Sequence, residues 1–265
     1  MKAKVLLIGF LWLPLCCLLP APQEKTNDQS FPLDMAVNSV DDRYSTCATK
    51  MEAKVKNKYF DKEMENNVFR EAWNAEKNRS DRNMEHKEPE DEALTKDHMQ
   101  AICVYTAGGP ADFFKEFNDA VRTNRQQYSS SFPFHSLHFW LTRAIQILNH
   151  NKCYTTFRRT RVAFTGEVNQ EIRFGFFASS STLSNLTHFG KTTCFKITTR
   201  HGAYLKKYPK HGKKEEEVLI PPYEKFKITS KDKPRELNDC EIVFVLESTG
   251  VQSNLNCKVV NQIIL

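Results

Sequence analysis

The sequence predicts an α+β protein. Apolar residues recur at helical spacing through the first 150 residues, and after Asn151 they recur at strand spacing instead. Helices first and strands afterwards indicate segregated layers rather than alternating βαβ units. A third observation removes the main competitor. No G-x-G-x-x-G follows a strand pattern, so a doubly wound dinucleotide-binding sheet is unsupported.

The chain opens Met1-Lys2-Ala3-Lys4, runs apolar from Val5 to Leu19 and meets small residues near Ala21 and Pro22. This is the pattern of a secretory signal peptide over residues 1–22, leaving residues 23–265 as one domain. The apolar run is short and broken by Pro14, and the C-terminal stretch Val259–Leu265 is too short and polar for a spanning helix or lipid-anchor signal. The expected mature product is soluble, secreted and extracellular. Formal charge is +6, and loss of Lys2 and Lys4 leaves +4. Basic and acidic residues are mixed throughout, so no nucleic-acid partner is indicated. Six cysteines remain after Cys16 and Cys17 leave: Cys47, Cys103, Cys153, Cys194, Cys240 and Cys257. In an exported chain an even count implies disulfides. None has C-x-x-C spacing, so no metal site is expected. Asn78-Arg79-Ser80 and Asn185-Leu186-Thr187 are glycosylation sequons.

Residues 23–40 read as extended and irregular, and helical patterning starts near Asp41. Residues 63–75 form an amphipathic helix through Met64, Val68, Phe69, Ala72 and Trp73. Residues 76–93 are almost wholly charged, with Pro89 inside, and are expected to be a solvated loop. Two further helices, 92–105 and 110–124, are separated by Gly108-Gly109-Pro110, a stop followed by a first-turn proline. The strongest helix is 134–149, whose stripe of Leu137, Trp140, Leu141, Ala144, Ile145 and Leu148 reads as core. His135 and His138 lie there at i, i+3 without a third ligand, so they read as surface or packing residues. Strands are expected at 153–157, 171–178, 193–199, 203–206, 216–220, 223–229, 240–246 and 256–264. Their inward faces carry Phe174, Phe176, Ile197, Leu205, Phe226, Ile228, Ile242, Phe244 and Leu246.

Three strand-associated clusters carry chemistry. Arg158 and Arg159 end the first strand, Ser179-Ser180-Ser181 ends the second, and Glu215-Glu216-Glu217 leads into Val218-Leu219-Ile220, which Pro221-Pro222 stops. Extending that last strand back through the acids places Glu215 and Glu217 on one face, about 7 Å apart. Two carboxylates side by side can divide acid–base work from charge stabilisation. Singly, each cluster has a duller reading as surface charge or loop. A serine-hydrolase reading fails because the G-x-S-x-G elbow is absent.

Together, in this order, the clusters resemble the R-S-E-x-E pattern of vertebrate extracellular arginine-specific mono-ADP-ribosyltransferases. Further stretches resemble the same family: Phe31-Pro32-Leu33-Asp34-Met35-Ala36 with Asp41-Asp42-Arg43-Tyr44, Ser131-Phe132-Pro133-Phe134, Pro221-Pro222-Tyr223-Glu224, and Ser248-Thr249-Gly250 with Asn256-Cys257. The resemblance covers nearly the whole mature chain. It implies a helical N-terminal half packed on a β core of two mainly antiparallel sheets, with NAD in the cleft between them. It implies transfer of ADP-ribose from NAD to arginine-bearing acceptor proteins. The alternatives are an NAD glycohydrolase and a catalytically silent binding protein.

The resemblance also assigns roles. Arg158 would grip the pyrophosphate, Ser179 the nicotinamide ribose and the glutamate, Glu217 the reacting ribose, and Glu215 the acceptor guanidinium. Tyr105 and the position of Phe176 match family positions near the cofactor, and Phe189 would stack on nicotinamide, with a core role as the alternative for Tyr105 and Phe189. Arg159 and Phe176 depart from the family pattern, which usually has glycine and glutamine there. Arg159 would crowd the phosphates or add charge to them, and Phe176 would remove a polar contact. Cys47 and Cys257 match the family's terminus-tying bridge. The family's second bridge joins the Cys153 position to that of Arg200, which is not cysteine here. Cys194 lies six residues earlier, about 20 Å by strand rise, so the pairing of Cys103, Cys153, Cys194 and Cys240 stays open.

Overall fold

A computed structural model describes residues 30–109 and 113–261. The signal-peptide reading over residues 1–22 and the end of the expected 256–264 strand lie outside them. Helices α1 (Ala48–Lys54), α2 (Phe60–Glu63), α3 (Asn67–Ala75), α4 (Lys77–Glu85), α5 (Lys96–Ala107), α6 (Phe113–Thr123) and α7 (His135–Leu148) precede most of the strands. Local chemistry sets their ends. The Asn66 side chain accepts from the Phe69 N–H and caps α3. A reciprocal Thr95–His98 capping box starts α5, and Gly108, at φ 80°, stops it. The expected α7 stripe is buried, along with His135 and His138. His138 packs rather than coordinates: Nδ1 meets the Tyr44 hydroxyl at 2.7 Å and Nε2 the Val40 carbonyl at 3.0 Å.

Strands β1 (Ser30–Pro32) and β3 (Ala163–Thr165) pair in parallel, β1 lying within the segment expected to be extended and irregular. The remaining strands are β2 (Tyr154–Thr160), β4 (Glu171–Ile172), β5 (Ala178–Ser181), β6 (Thr193–Thr199), β7 (Ala203–Tyr204), β8 (Glu217–Ile220), β9 (Glu224–Ser230) and β10 (Ile242–Val251). They form one hydrogen-bonded order, β4-β9-β10-β6-β2-β5-β8-β7, with β10 and β6 parallel and the other pairs antiparallel. Two sheet sections are nevertheless distinct, because β2 and β5 share a single register pair, Phe157↔Ser181. The chain opens into a cleft at that narrow junction. One core lies among the helices and reaches Phe177, Leu205 and Leu219. A second fills the sheet with Phe174, Phe195, Ile197, Phe226, Ile228, Phe244 and Leu246. Phe176 and Ile242 sit at the edge of that cluster, only partly buried.

Four expectations need correction. Helix formation begins at Ala48 rather than Asp41, because Asp42 caps a tight turn by accepting from the Tyr44 N–H. Residues 76–93 are not a loop. They hold α4 and a 3-10 turn at Pro89–Asp91, anchored by buried Ser80 and Asp91 and by Arg79, which pairs with Glu76 and donates to the Cys103 carbonyl. The expected 171–178 strand breaks after Ile172. Arg173 is buried and leaves the ladder to bond Asp41 and the carbonyls of Met35, Ala36 and Gln252. Gly175 follows at φ 70°, where a Cβ would overlap that of Ala36. Residues 254–260 are turns rather than strand, with Cys257 at φ 60° and its N–H bonded to Asp42.

Cys47–Cys257 is bridged, as the resemblance implies. The open pairing resolves as Cys194–Cys240, with Cys103 buried and Cys153 exposed as thiols. Among the described residues no helix is long and apolar enough to cross a membrane.

Candidate active site

The junction of β2 with β5 supplies the first wall of a cavity of about 300 Å³. Alternation along β2 sends Arg158 and Arg159 to opposite faces. Arg158 turns toward the cavity, donates from Nη1 to the Ser179 carbonyl at 2.6 Å, and lies 5.6 Å above the Phe176 ring. Arg159 turns the other way. Its guanidinium makes a two-pronged pair with Asp239, donates to the Ser184 carbonyl at 2.7 Å and reaches Cys240 of the second disulfide. Arg159 still lines the cavity, but its guanidinium is engaged by Asp239, Ser184 and Cys240 rather than left to face it alone. Phe176 does not line the cavity. It supports Arg158 through the ring face, a contact that a glutamine would not make.

The three hydroxyls of β5 divide their work. Ser180 Oγ donates to the Val218 carbonyl at 2.8 Å, and Ser181 Oγ donates to the Glu215 carbonyl. Ser179 lines the cavity together with Glu217 and holds its carboxyl lower than burial alone would. Register places Ser181 opposite Glu217 and Ser179 opposite Leu219.

The two acids meet the cavity by a route different from the expected one. Strand β8 begins only at Glu217. Glu215 closes a 3-10 turn, and Glu216 takes a left-handed conformation at φ 42°. Thr182 holds that turn by donating to the Glu216 carbonyl from its N–H at 3.2 Å and to the Glu216 carboxylate from its hydroxyl. The turn, not strand pleating, leaves both Glu215 and Glu217 lining the cavity. Ser181 and Thr182 are thus site-shaping residues that sequence reasoning missed. The available signal was a hydroxyl run, Ser179 to Thr182, matched against an acidic run of similar length.

Glu217 is buried, which pushes its carboxyl up to about 7. Glu215 adds to the rise, while Ser179, Arg158 and Arg79 oppose it. Burial lowers the Arg158 pKa, against Tyr105 and Glu217. Tyr105 is buried at the cavity wall, accepts from Asn118 at 3.2 Å and donates to the Phe177 carbonyl. Phe189 lies on the opposite rim, 46% exposed, at the end of a 3-10 turn that Gly190 closes. A Cβ at Gly190 would overlap the Thr160 backbone, so only glycine lets this rim approach β2. Sequon residue Asn185 is exposed on the same loop, and Asn78 is exposed in the first turn of α4.

The residues fit a dinucleotide. A guanidinium without a carboxylate partner among the described residues faces the cavity beside a hydroxyl. Leu183, Leu186, Phe114 and the bare Phe189 ring supply apolar wall.

Comparison with known proteins agrees. A family model described as NAD:arginine ADP-ribosyltransferase matches residues 33–250. The chain is 34% identical over 280 residues to ecto-ADP-ribosyltransferase 4 of Homo sapiens, covering 96% of this chain and 82% of that one. It is 33% identical over 253 residues to the GPI-linked NAD(P)(+)–arginine ADP-ribosyltransferase 1 of Mus musculus, covering 88% and 75%. A crystal structure of a mutant of the eukaryotic mono-ADP-ribosyltransferase ART2.2 in complex with NAD superposes with a TM-score of 0.71 at 29% identity, covering 86% of this chain and 98% of that one. The chain belongs to the NAD:arginine ADP-ribosyltransferase family.

Proposed function

We propose that the protein transfers ADP-ribose from NAD to arginine side chains through a division of labour between Glu217 and Glu215. The observation that carries this is the pair itself: two acids two residues apart line one cavity, one buried with its carboxyl near neutrality, the other partly exposed.

The glycosidic bond between ribose C1′ and nicotinamide breaks, and nicotinamide leaves with the bonding electrons. The Glu217 carboxylate stabilises the positive charge that develops on the ribose, as carboxylates do in glycoside hydrolysis. Ser179 orients that carboxylate. Arg158 holds the pyrophosphate by charge-assisted hydrogen bonds, with its plane set by the Ser179 carbonyl and the Phe176 ring. Tyr105 and Phe189 shape the nicotinamide end.

An acceptor guanidinium is protonated at ordinary pH and is a poor nucleophile. Glu215 orients it and takes one proton as its nitrogen bonds to C1′, so that charge and atoms balance. Both sequon asparagines are exposed, and two disulfides are formed. With the apolar N-terminal segment, and relatives named as ecto and GPI-linked enzymes, these features support export to the cell surface or beyond.

The direct test is incubation of the mature protein with NAD labelled in its adenylate half and polyarginine. Label should appear on the polymer with matching release of nicotinamide. Nicotinamide release without label would indicate NAD hydrolysis, and neither product would indicate a binding role.

A further inference from the structure

A second cavity, about 260 Å³, shares no lining residue with the first. Its walls come from separate parts of the chain: Arg43 ahead of α1, Arg143 and Gln146 on α7, His201 before β7 and Tyr223 after β8. Its charge is one-sided. The acids beside Arg43 are engaged elsewhere: Asp41 pairs with Arg173 at 2.7 Å, and Asp42 accepts from Tyr128 and from the Tyr44 and Cys257 N–H groups. Glu224, next to Tyr223, is turned into the sheet and accepts from Thr199 and the N–H groups of Arg200 and His201. Among the described residues the arginines that pair with a carboxylate are Arg79, Arg122, Arg159 and Arg173, not Arg43 or Arg143.

The two unpaired arginines are also held in place. Gln146 donates to the Arg43 carbonyl at 2.9 Å and to the Tyr223 hydroxyl at 3.3 Å, while its Oε1 accepts from Arg143. The Arg43 guanidinium lies 5.4 Å above the Tyr223 ring, and its enclosed Nε has no acceptor. His201 is half-buried, and its pKa is lowered by that burial and by the charges of Arg43 and Arg200. Two guanidinium groups without counter-ions, one stacked over Tyr223 and the other held by Gln146, are an arrangement that an anion completes.

We propose that this pocket binds a tetrahedral oxyanion, a phosphate or sulfate monoester, at a site separate from the NAD cleft. Arg143 would supply a two-pronged contact and the Arg43 guanidinium, which has no carboxylate partner, the second positive group, in the manner usual for arginine with phosphate or sulfate oxygens.

Isothermal titration calorimetry on the full chain with intact disulfides tests this, using inorganic phosphate and inorganic sulfate in turn at low ionic strength. Saturable binding at one site is expected for at least one of them, and the preferred anion identifies the ester class. Arg143→Gln should weaken it about tenfold or more, since a charge-assisted contact is lost, while NAD affinity and melting temperature hold. Arg143→Lys, which keeps charge but loses the planar fork, should fall between, and it serves if the glutamine variant does not fold. NAD at saturation should leave phosphate binding unchanged. Absence of saturable binding by either anion, wild-type affinity in folded Arg143→Gln, or competition by NAD would each overturn the proposal.

Discussion

Arg158 donates from Nη1 to the Ser179 carbonyl at 2.6 Å, across a junction where strands β2 and β5 share one register pair. This bond does two things. It fastens the two sheet sections where the ladder is thinnest, and it fixes the plane of the guanidinium that faces the cavity. Replacing Arg158 with lysine keeps the charge but loses the planar fork. The NAD dissociation constant should rise about 10- to 100-fold, or roughly 1.4–2.8 kcal/mol, measured by calorimetry.

Arg159 should behave in the opposite way. Its guanidinium lies on the far face of β2 with Asp239, Ser184 and the second disulfide. Arg159→Ala should destabilise the fold by about 1–3 kcal/mol through loss of this partly buried pair, as read from urea unfolding. NAD affinity should stay within about twofold; a tenfold change would place Arg159 back in the cofactor site.

Glu217 links activity and stability to pH with opposite signs. Its carboxyl is pushed up to about 7 by burial, and Glu215 adds to the rise. Chemistry that needs the carboxylate should gain through pH 7. The acid limb of kcat/KM should centre near that value and shift down in Glu215→Gln. Stability runs the other way, because the folded chain binds this proton more tightly than the unfolded one. The contribution of Glu217 is fully present below about pH 4.5 and is lost as pH rises through about 7. Glu217→Gln should therefore be more stable than wild type at pH 8 by roughly 3 kcal/mol. That advantage should vanish near pH 4.5, by thermal melts across the range.

The Cys194–Cys240 bridge closes a sequence separation of 46 residues and is contacted by Arg159. Replacing both cysteines with serine should cost about 2–4 kcal/mol, measured as a shift in urea midpoint. Removing Cys47–Cys257, with a separation of 210, should cost at least as much.

Much of this was legible in the chain because periodicity reports burial directly. The α7 stripe, the α5 stop at Gly108 and strands β6, β8 and β9 follow from spacing alone. What escaped was set by long-range polar contacts. Arg173 leaves its strand for Asp41 and carbonyls more than 130 residues away. Polar residues 77–85 form a helix because Arg79 and Ser80 find tertiary partners or burial that pattern cannot foresee. At the site, Glu215 and Glu217 line one cavity, although the expectation placed them there by strand alternation. The left-handed Glu216, pinned by Thr182, achieves it instead. Backbone sign at a single non-glycine residue leaves almost no trace in sequence.

The division of labour between the two acids is the central claim, and paired assays on single variants test it most directly. For wild type, Glu215→Gln and Glu217→Gln, transfer of label from NAD to polyarginine and nicotinamide release without acceptor should be measured on folded protein. Glu215→Gln should lose transfer by at least about 100-fold, the lower end of general-base contributions, while keeping NAD hydrolysis. Glu217→Gln should lose both. Parallel loss of both activities in Glu215→Gln, or retained transfer in Glu217→Gln, would contradict the account.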